Sequence, residues 1–126
     1  MKNAIKSVII IFEIKIWREK RMSLKIQEAF DENQNIFIVK PVGEIDIYTS
    51  ENFKNRLLDL IYEDKGDLLV DCEELEFIDS TGLGALVSVL KEAQENKREI
   101  TLKNIKPNIK KLFFLTKLDQ VFKIEG

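Results

Sequence analysis

The 126-residue chain contains no histidine. That absence removes imidazole acid–base chemistry, Ser-His-Asp triads and His-containing metal sites, so neither a hydrolase nor a zinc enzyme is expected. A single cysteine, Cys72, excludes an internal disulfide and fits a reducing cytoplasm. Placed in the apolar run from Leu68 to Cys72, it reads as a small buried hydrophobe. Long hydrophobic runs are missing too: nothing approaches the roughly 20 apolar residues of a membrane span. There is no internal repeat, no low-complexity stretch, and no Gly-rich loop followed by Lys and Ser/Thr to cradle a nucleotide phosphate. An excess of positive charge is also absent, since the net charge is −2. Nucleic-acid affinity rests on neutralising phosphates, so a basic or mixed protein surface is the better-matched partner.

What is present suits one domain: 126 residues with 44% hydrophobic content are enough to bury a core. The charge is unevenly spread. Residues 1–21 carry six Lys or Arg against Glu13 and Glu19, a net of +4, which leaves −6 for residues 22–126. The apolar run Val8 to Phe12 inside this basic frame is too short to span a membrane and lacks a secretory cleavage pattern. A weak amphipathic anchor, an extra helix and an edge strand over Ile9 to Ile16 all fit its composition. Arg18-Glu19-Lys20-Arg21 can be encoded by purine-rich codons of the ribosome-binding type, and Met22 follows directly. The division expected is therefore an N-terminal extension over 1–21, read as a translated leader with Met22 as the true start, and a domain over 22–126.

Within that domain, Leu24 to Ala29 and Ile36 to Val42 flank the polar cluster Asp31 to Asn35 and predict a hairpin. Thr49 or Ser50 then caps a helix with Phe53, Leu57, Leu60 and Ile61 facing inward, and Lys65-Gly66-Asp67 ends it. Leu68 to Asp71 reads as a central strand, Phe77 and Ile78 as a further buried extended segment, and Ile100 to Leu102 as a return to the sheet. Pro107 suits the first turn of a last helix, and Val121 to Ile124 a short closing strand. A hairpin followed by alternating helices and strands predicts an α/β fold with a mixed sheet.

The most informative stretch is Phe77-Ile78-Asp79-Ser80-Thr81-Gly82-Leu83-Gly84. An extended run ends in hydroxyl residues, two glycines follow, and Leu83, Leu86, Val87, Leu90 and Ala93 recur at helical spacing as far as Asn96 or Lys97. Asp79 or Ser80 falls at the helix N-cap, and capping alone would account for a serine there. Three capping residues where one suffices, and two glycines each costing about 1 kcal/mol of helix propensity, point instead to a surface that another molecule approaches closely. Glu73, Glu74, Glu76 and Asp79 either form a solvated loop or add a negative field beside it.

This run resembles the signature of the STAS domain of bacterial anti-sigma factor antagonists. Val42-Gly43-Glu44-Ile45-Asp46-Ile47-Tyr48-Thr49 is similar to a second stretch of that family, and Ile105-Lys106-Pro107 through Leu112, Thr116, Lys117, Leu118 and Phe122 to its closing helix and strand. The resemblance implies helices packed mainly on one face of the sheet, and phosphorylation of Ser80 by a partner kinase, with Thr81 as the alternative acceptor. It further implies a partner surface of Gly43, Glu44, Asp46, Tyr48, Thr49, Asp79, Ser80, Thr81, Gly82, Leu83 and Gly84. The implied role is a cytoplasmic binding module with no reaction, cofactor or metal of its own. Unphosphorylated, it binds an anti-sigma factor with serine kinase activity and so frees a sigma factor; a serine phosphatase resets it. Neither nucleic acid nor a membrane is an expected partner, and a monomer entering heteromeric complexes is the expected state. A STAS subunit of a sensory assembly, or the accessory STAS domain of a lipid or anion transporter, is the alternative.

Overall fold

A computed structural model describes residues 10–15 and 23–126. The elements follow in the order β1 (Ile10–Lys15), β2 (Ser23–Asp31), β3 (Ile36–Ile45), α1 (Ser50–Glu63), β4 (Asp67–Asp71), β5 (Leu75–Ile78), α2 (Ser80–Glu95), β6 (Ile100–Lys103), α3 (Pro107–Leu115), a 3-10 turn at Leu118–Gln120 and β7 (Lys123–Glu125). The strands lie in the order β1-β2-β3-β4-β6-β7, and β5 also pairs with β3. β2 is antiparallel to both its neighbours, β1 and β3, whereas β4, β5, β6 and β7 join in parallel. The sheet is thus mixed, as the residue order predicts. Within the run read as an anchor, helix or edge strand, the described residues Ile10–Lys15 form a strand paired with β2; the expected leader and start at Met22 lie outside the described residues.

Register explains where the core sits. Phe37 lies beside Leu68, and Val70 beside Leu102, with Ile26 and Val39 on the same face of β2 and β3. Since successive side chains alternate across a strand, these residues share one face. They are buried in a single cluster with Phe53, Leu57, Leu60 and Ile61 of α1, with Leu83, Leu86, Val89 and Leu90 of α2, and with Ile109 and Phe113 of α3. All three helices therefore cover the same face of the sheet, while Lys25, Gln27, Ile38 and Leu69 on the other face remain half-buried. The same alternation carries Glu28 of β2 inward, where Arg56 of α1 meets it with two hydrogen bonds, one of them 2.7 Å from Nη2 to Oε1. Arg56 is held above its ordinary pKa, first by that hydrogen bond.

The two halves of β3 have different parallel neighbours. Ile36 to Val39 pair with β4, and Gly43 to Ile45 pair with β5. Between them the chain turns at Cys72 to Glu74, with Leu75 N–H donating to Cys72 O at 3.1 Å. Cys72 is buried as expected, just past the end of β4, and burial pushes its thiol pKa up to about 12. The β3–β5 register slips between Gly43, paired with Leu75, and Glu44, paired with Phe77. One extra residue, Glu76, is left in β5. Gly43 accommodates the slip with φ of 121°, a region that L side chains rarely adopt.

That bulge corrects one expectation. Phe77 and Ile78 were both expected inside, yet Ile78 is buried and Phe77 is 45% exposed. Adjacent strand residues point to opposite faces, and the extra residue selects which of them faces the core. The closing strand is displaced as well: Val121 lies outside it and is exposed, and Lys123–Glu125 pair with Thr101 to Lys103.

Candidate functional site

β3 and β5 end side by side, so the loop after β3 and the start of α2 meet. Asp79 N–H donates to Ile45 O at 3.2 Å. Of the two residues eligible as N-cap of α2, Asp79 takes the position, with extended backbone and its Oδ1 accepting from Gly82 N–H at 2.9 Å. The same oxygen accepts from the Thr81 hydroxyl at 2.5 Å. Partial burial alone would raise the Asp79 pKa, but hydrogen bonds from Thr81 Oγ1 and from the backbone N–H groups of Gly82, Thr81 and Ile47 outweigh it and hold the carboxyl below its ordinary value. Asp79 therefore ties the helix start to the neighbouring loop.

Ser80 is left without that job. It occupies the first helical position, its side chain is exposed, and no described residue hydrogen-bonds its hydroxyl. Thr81 is exposed too, but its hydroxyl is spent on Asp79.

The two glycines differ. A Cβ on Gly82 would stand 2.5 Å from Ile78 Cγ1 and 2.9 Å from both Ile45 Cγ2 and Ile45 O, so this glycine lets α2 seat on the sheet end. A Cβ on Gly84 would meet nothing within 4 Å. Nothing inside the domain requires Gly84 to be bare. Leu83, between them, is buried in the core.

The loop Glu44 to Thr49 is a small polar lock. Asp46 Oδ1 accepts from the backbone N–H of Tyr48 at 2.9 Å and of Thr49 at 3.2 Å. Thr49 Oγ1 accepts from Asp46 N–H at 3.0 Å and donates to Glu44 O at 2.9 Å. Thr49 occupies the N-cap of α1 but makes no side-chain cap bond, because its hydroxyl is turned into this lock. Asp46 and Thr49 are 3% and 0% exposed, so their side chains hold the loop in shape from inside. Ile47 and Tyr48 project from it, 66% and 57% exposed. Ile47 and Phe77 are the residues that sequence reasoning missed; the signal for Ile47 is an apolar residue inside a turn, whereas Phe77 gave none.

The acidic residues nearby are largely paired. Lys40 faces Glu74 at 3.2 Å and Glu73 at 3.6 Å, and Lys106 faces Glu76 at 3.8 Å. The negative field expected of Glu73, Glu74, Glu76 and Asp79 is thus partly offset, three exposed glutamates meeting two lysines. Among the described residues no group of three or more acidic or Cys side chains is placed to hold a metal ion.

The geometry consists of an unengaged serine at a helix start, a bare glycine one turn on, and a locked loop beside them. It coincides with the region found by comparison: the sequence model of the STAS domain matches residues 29–126. The chain belongs to the STAS-domain family. A protein named anti-sigma-B factor antagonist, from Listeria monocytogenes, is 30% identical to this STAS domain chain over 107 residues, covering 83% of this chain and 90% of its own. One of the same name from Staphylococcus aureus is 29% identical over 103 residues, covering 82% and 94%. Among solved STAS structures, the anti-sigma factor antagonist SpoIIAA in its unphosphorylated form superposes with a TM-score of 0.63 at 20% identity, over 80% of this chain and 86% of that one. The Bacillus SpoIIAA structure in the phosphorylated form gives 0.59 at 20% identity, over 74% and 84%. At that identity the likeness is one of fold.

Proposed function

We propose that this STAS domain is an anti-sigma factor antagonist switched by phosphorylation of Ser80. The observation that carries this reading is the division of labour at the start of α2: Asp79 caps the helix, Thr81 bonds Asp79, and the Ser80 hydroxyl alone is both exposed and unengaged. The names of the Listeria and Staphylococcus relatives support the role.

In the unmodified state the surface of Tyr48, Ile47, Phe77, Ser80 and Gly84 receives an anti-sigma factor with serine kinase activity, in competition with a sigma factor. Asp46, Thr49, Gly43, Gly82 and Leu83 serve it indirectly, by shaping the backbone that presents it. The kinase supplies ATP, metal and base, so Asp79 positions the helix start and does no chemistry. A phosphate on Ser80 brings about −1.5 to −2 charges to a helix N-terminus, where free N–H groups and the dipole favour it by about 0.3 to 1 kcal/mol. Modification therefore leaves the domain folded and acts at the interface, through bulk and repulsion. A loss of about 3 kcal/mol there weakens binding roughly a hundredfold. A serine phosphatase reverses the step, and the protein itself carries out no reaction. The setting is the cytoplasm.

The test is intact mass after incubation with ATP and an anti-sigma serine kinase that binds this protein, with Ser80→Ala and Thr81→Ala run in parallel. One phosphate on the wild type and on Thr81→Ala, and none on Ser80→Ala, is the expected result. Phosphate on Ser80→Ala, or none on a wild type that the active kinase binds, overturns the assignment.

A further inference from the structure

α3 carries a second surface, independent of the Ser80 site. It begins at the same end of the sheet, where Lys106 meets Glu76 at 3.8 Å. Seven residues on, about 10 Å along the axis at 1.5 Å per residue, come Phe114 and Leu115. They are 69% and 66% exposed, against 1% for their neighbour Phe113. Ile109, Leu112 and Phe113 hold the helix to the core, so helical spacing leaves Lys110, Lys111, Phe114 and Leu115 together on the outer face.

The C-terminal segment that carries this face differs in charge from the rest of the domain. Residues 103–126 hold six lysines against Asp119 and Glu125, a net of +4, so the −6 of residues 22–126 leaves −10 for residues 22–102. Lys40, Lys54, Lys65, Arg98 and Lys123 each face a carboxylate, whereas Lys25, Lys91, Lys97 and Lys103 are unpaired among the described residues but do not share a helix face with exposed large apolar side chains. Lys110, Lys111 and Lys117 form no ion pair among the described residues. A face that is both apolar and uncompensated in charge suits an occupant that is anionic and apolar at once.

We infer that the outer face of α3 docks on an anionic lipid bilayer surface. Lysine and large apolar residues alternate here at i and i+4, as Lys110 with Phe114 and Lys111 with Leu115, and do not separate into an apolar centre and a charged rim. A protein groove would bury two lysines at its centre, which interfaces avoid. A headgroup layer accommodates both: the apolar side chains dip below the phosphates while the lysine stems extend back to them. Residues 22–102, at a net of −10, are repelled by the same surface, which orients that part of the domain away from the lipid and α3 towards it. Contact through two apolar anchors is weak, reversible and dependent on salt.

Co-sedimentation of the full-length protein tests this, with vesicles of phosphatidylcholine alone and of phosphatidylcholine containing one third phosphatidylglycerol. Binding to the phosphatidylglycerol vesicles only is expected, lost at about 1 M salt, where the Debye length falls to about 3 Å. Lys110→Gln with Lys111→Gln weakens it about 25-fold, at about fivefold per lysine near an anionic surface. Phe114→Gln with Leu115→Gln, both at exposed positions, abolishes it without changing the unfolding midpoint. Equal binding to both vesicle types, no binding to either, or binding unaffected by either pair of substitutions overturns the proposal. So does a concentration-dependent dimer, seen without vesicles and lost on Phe114→Gln with Leu115→Gln, since a second copy then occupies the face.

Discussion

Alanine at Gly82 and at Gly84 is the same chemical change, half a turn apart in α2, yet it should stabilise only at Gly84. Replacing a helix-interior glycine gains about 1 kcal/mol of propensity at either position. At Gly84 nothing opposes that gain, because the added methyl meets no atom within 4 Å. The expected outcome is a domain about 1 kcal/mol more stable, with Tm higher by about 4 °C for a chain of this size. At Gly82 the methyl would lie 2.5 Å from Ile78 Cγ1 and 2.9 Å from Ile45 O, well inside the 3.5–4.0 Å at which carbon atoms normally rest. Ile45 O also accepts from Asp79 N–H, so the start of α2 cannot move off without stretching that bond. Overpacking of this kind costs about 1–3 kcal/mol, so Gly82→Ala ends between neutral and about 2 kcal/mol less stable. The two variants therefore differ by about 1–3 kcal/mol in urea or thermal unfolding. Binding orders them otherwise: the more stable Gly84→Ala is expected to bind the anti-sigma factor less tightly, because its methyl stands on the docking surface. Equal stability changes in the two variants would refute the packing argument, and undiminished binding by Gly84→Ala would remove Gly84 from the partner surface.

Two further outcomes follow from side chains described above. The Asp79 carboxyl is held below its unfolded pKa of about 3.9, so its contribution is present above that pH and is lost as pH falls through the depressed folded value. Asp79→Ala should cost about 1 kcal/mol at neutral pH and almost nothing once the wild-type carboxyl is protonated, and an NMR titration midpoint at or above about 3.9 would contradict the cap. Arg56→Ala strands Glu28 inside the fold and is expected to cost about 3 kcal/mol in denaturant unfolding. Adding Glu28→Gln should recover part of that loss, and strictly additive effects would show that the pair is not coupled.

Periodic features were legible in the sequence. The hairpin, the inward stripe of α1, the span of α2 and Pro107 at the start of α3 all follow from spacing of apolar residues and from residues with fixed backbone preferences. The region of the candidate site was legible too, since a surplus of caps and bare positions before a helical pattern is a local conflict that packing does not ask for at Ser80 or Gly84. What escaped is aperiodic. Thr49 looks like a cap, but its hydroxyl is claimed by Glu44 O and Asp46 N–H, partners set by a loop shape that propensity does not describe. Phe77 looks buried because the run around it is apolar, and only a pairing slip with a strand thirty residues earlier turns it outward. Asp46 and Thr49 read as surface contacts by motif, whereas burial places them beneath that surface.

The extra residue in β5 acts as a phase shifter. A strand has a two-step repeat, so adding one residue inverts everything after it, and here the inversion falls between Leu75, which belongs to the core, and Phe77, which belongs to solvent. The same half-period shift sets where Asp79 meets Ile45 and hence which hydroxyl faces outward at the start of α2. Deletion of Glu76 would remove the bulge and keep Phe77 opposite Glu44 and Ile78 opposite Ile45; it is pulling Glu76 into register with Glu44 that would turn the display inside out, withdrawing Phe77 and expelling Ile78 with every residue of the signature still present.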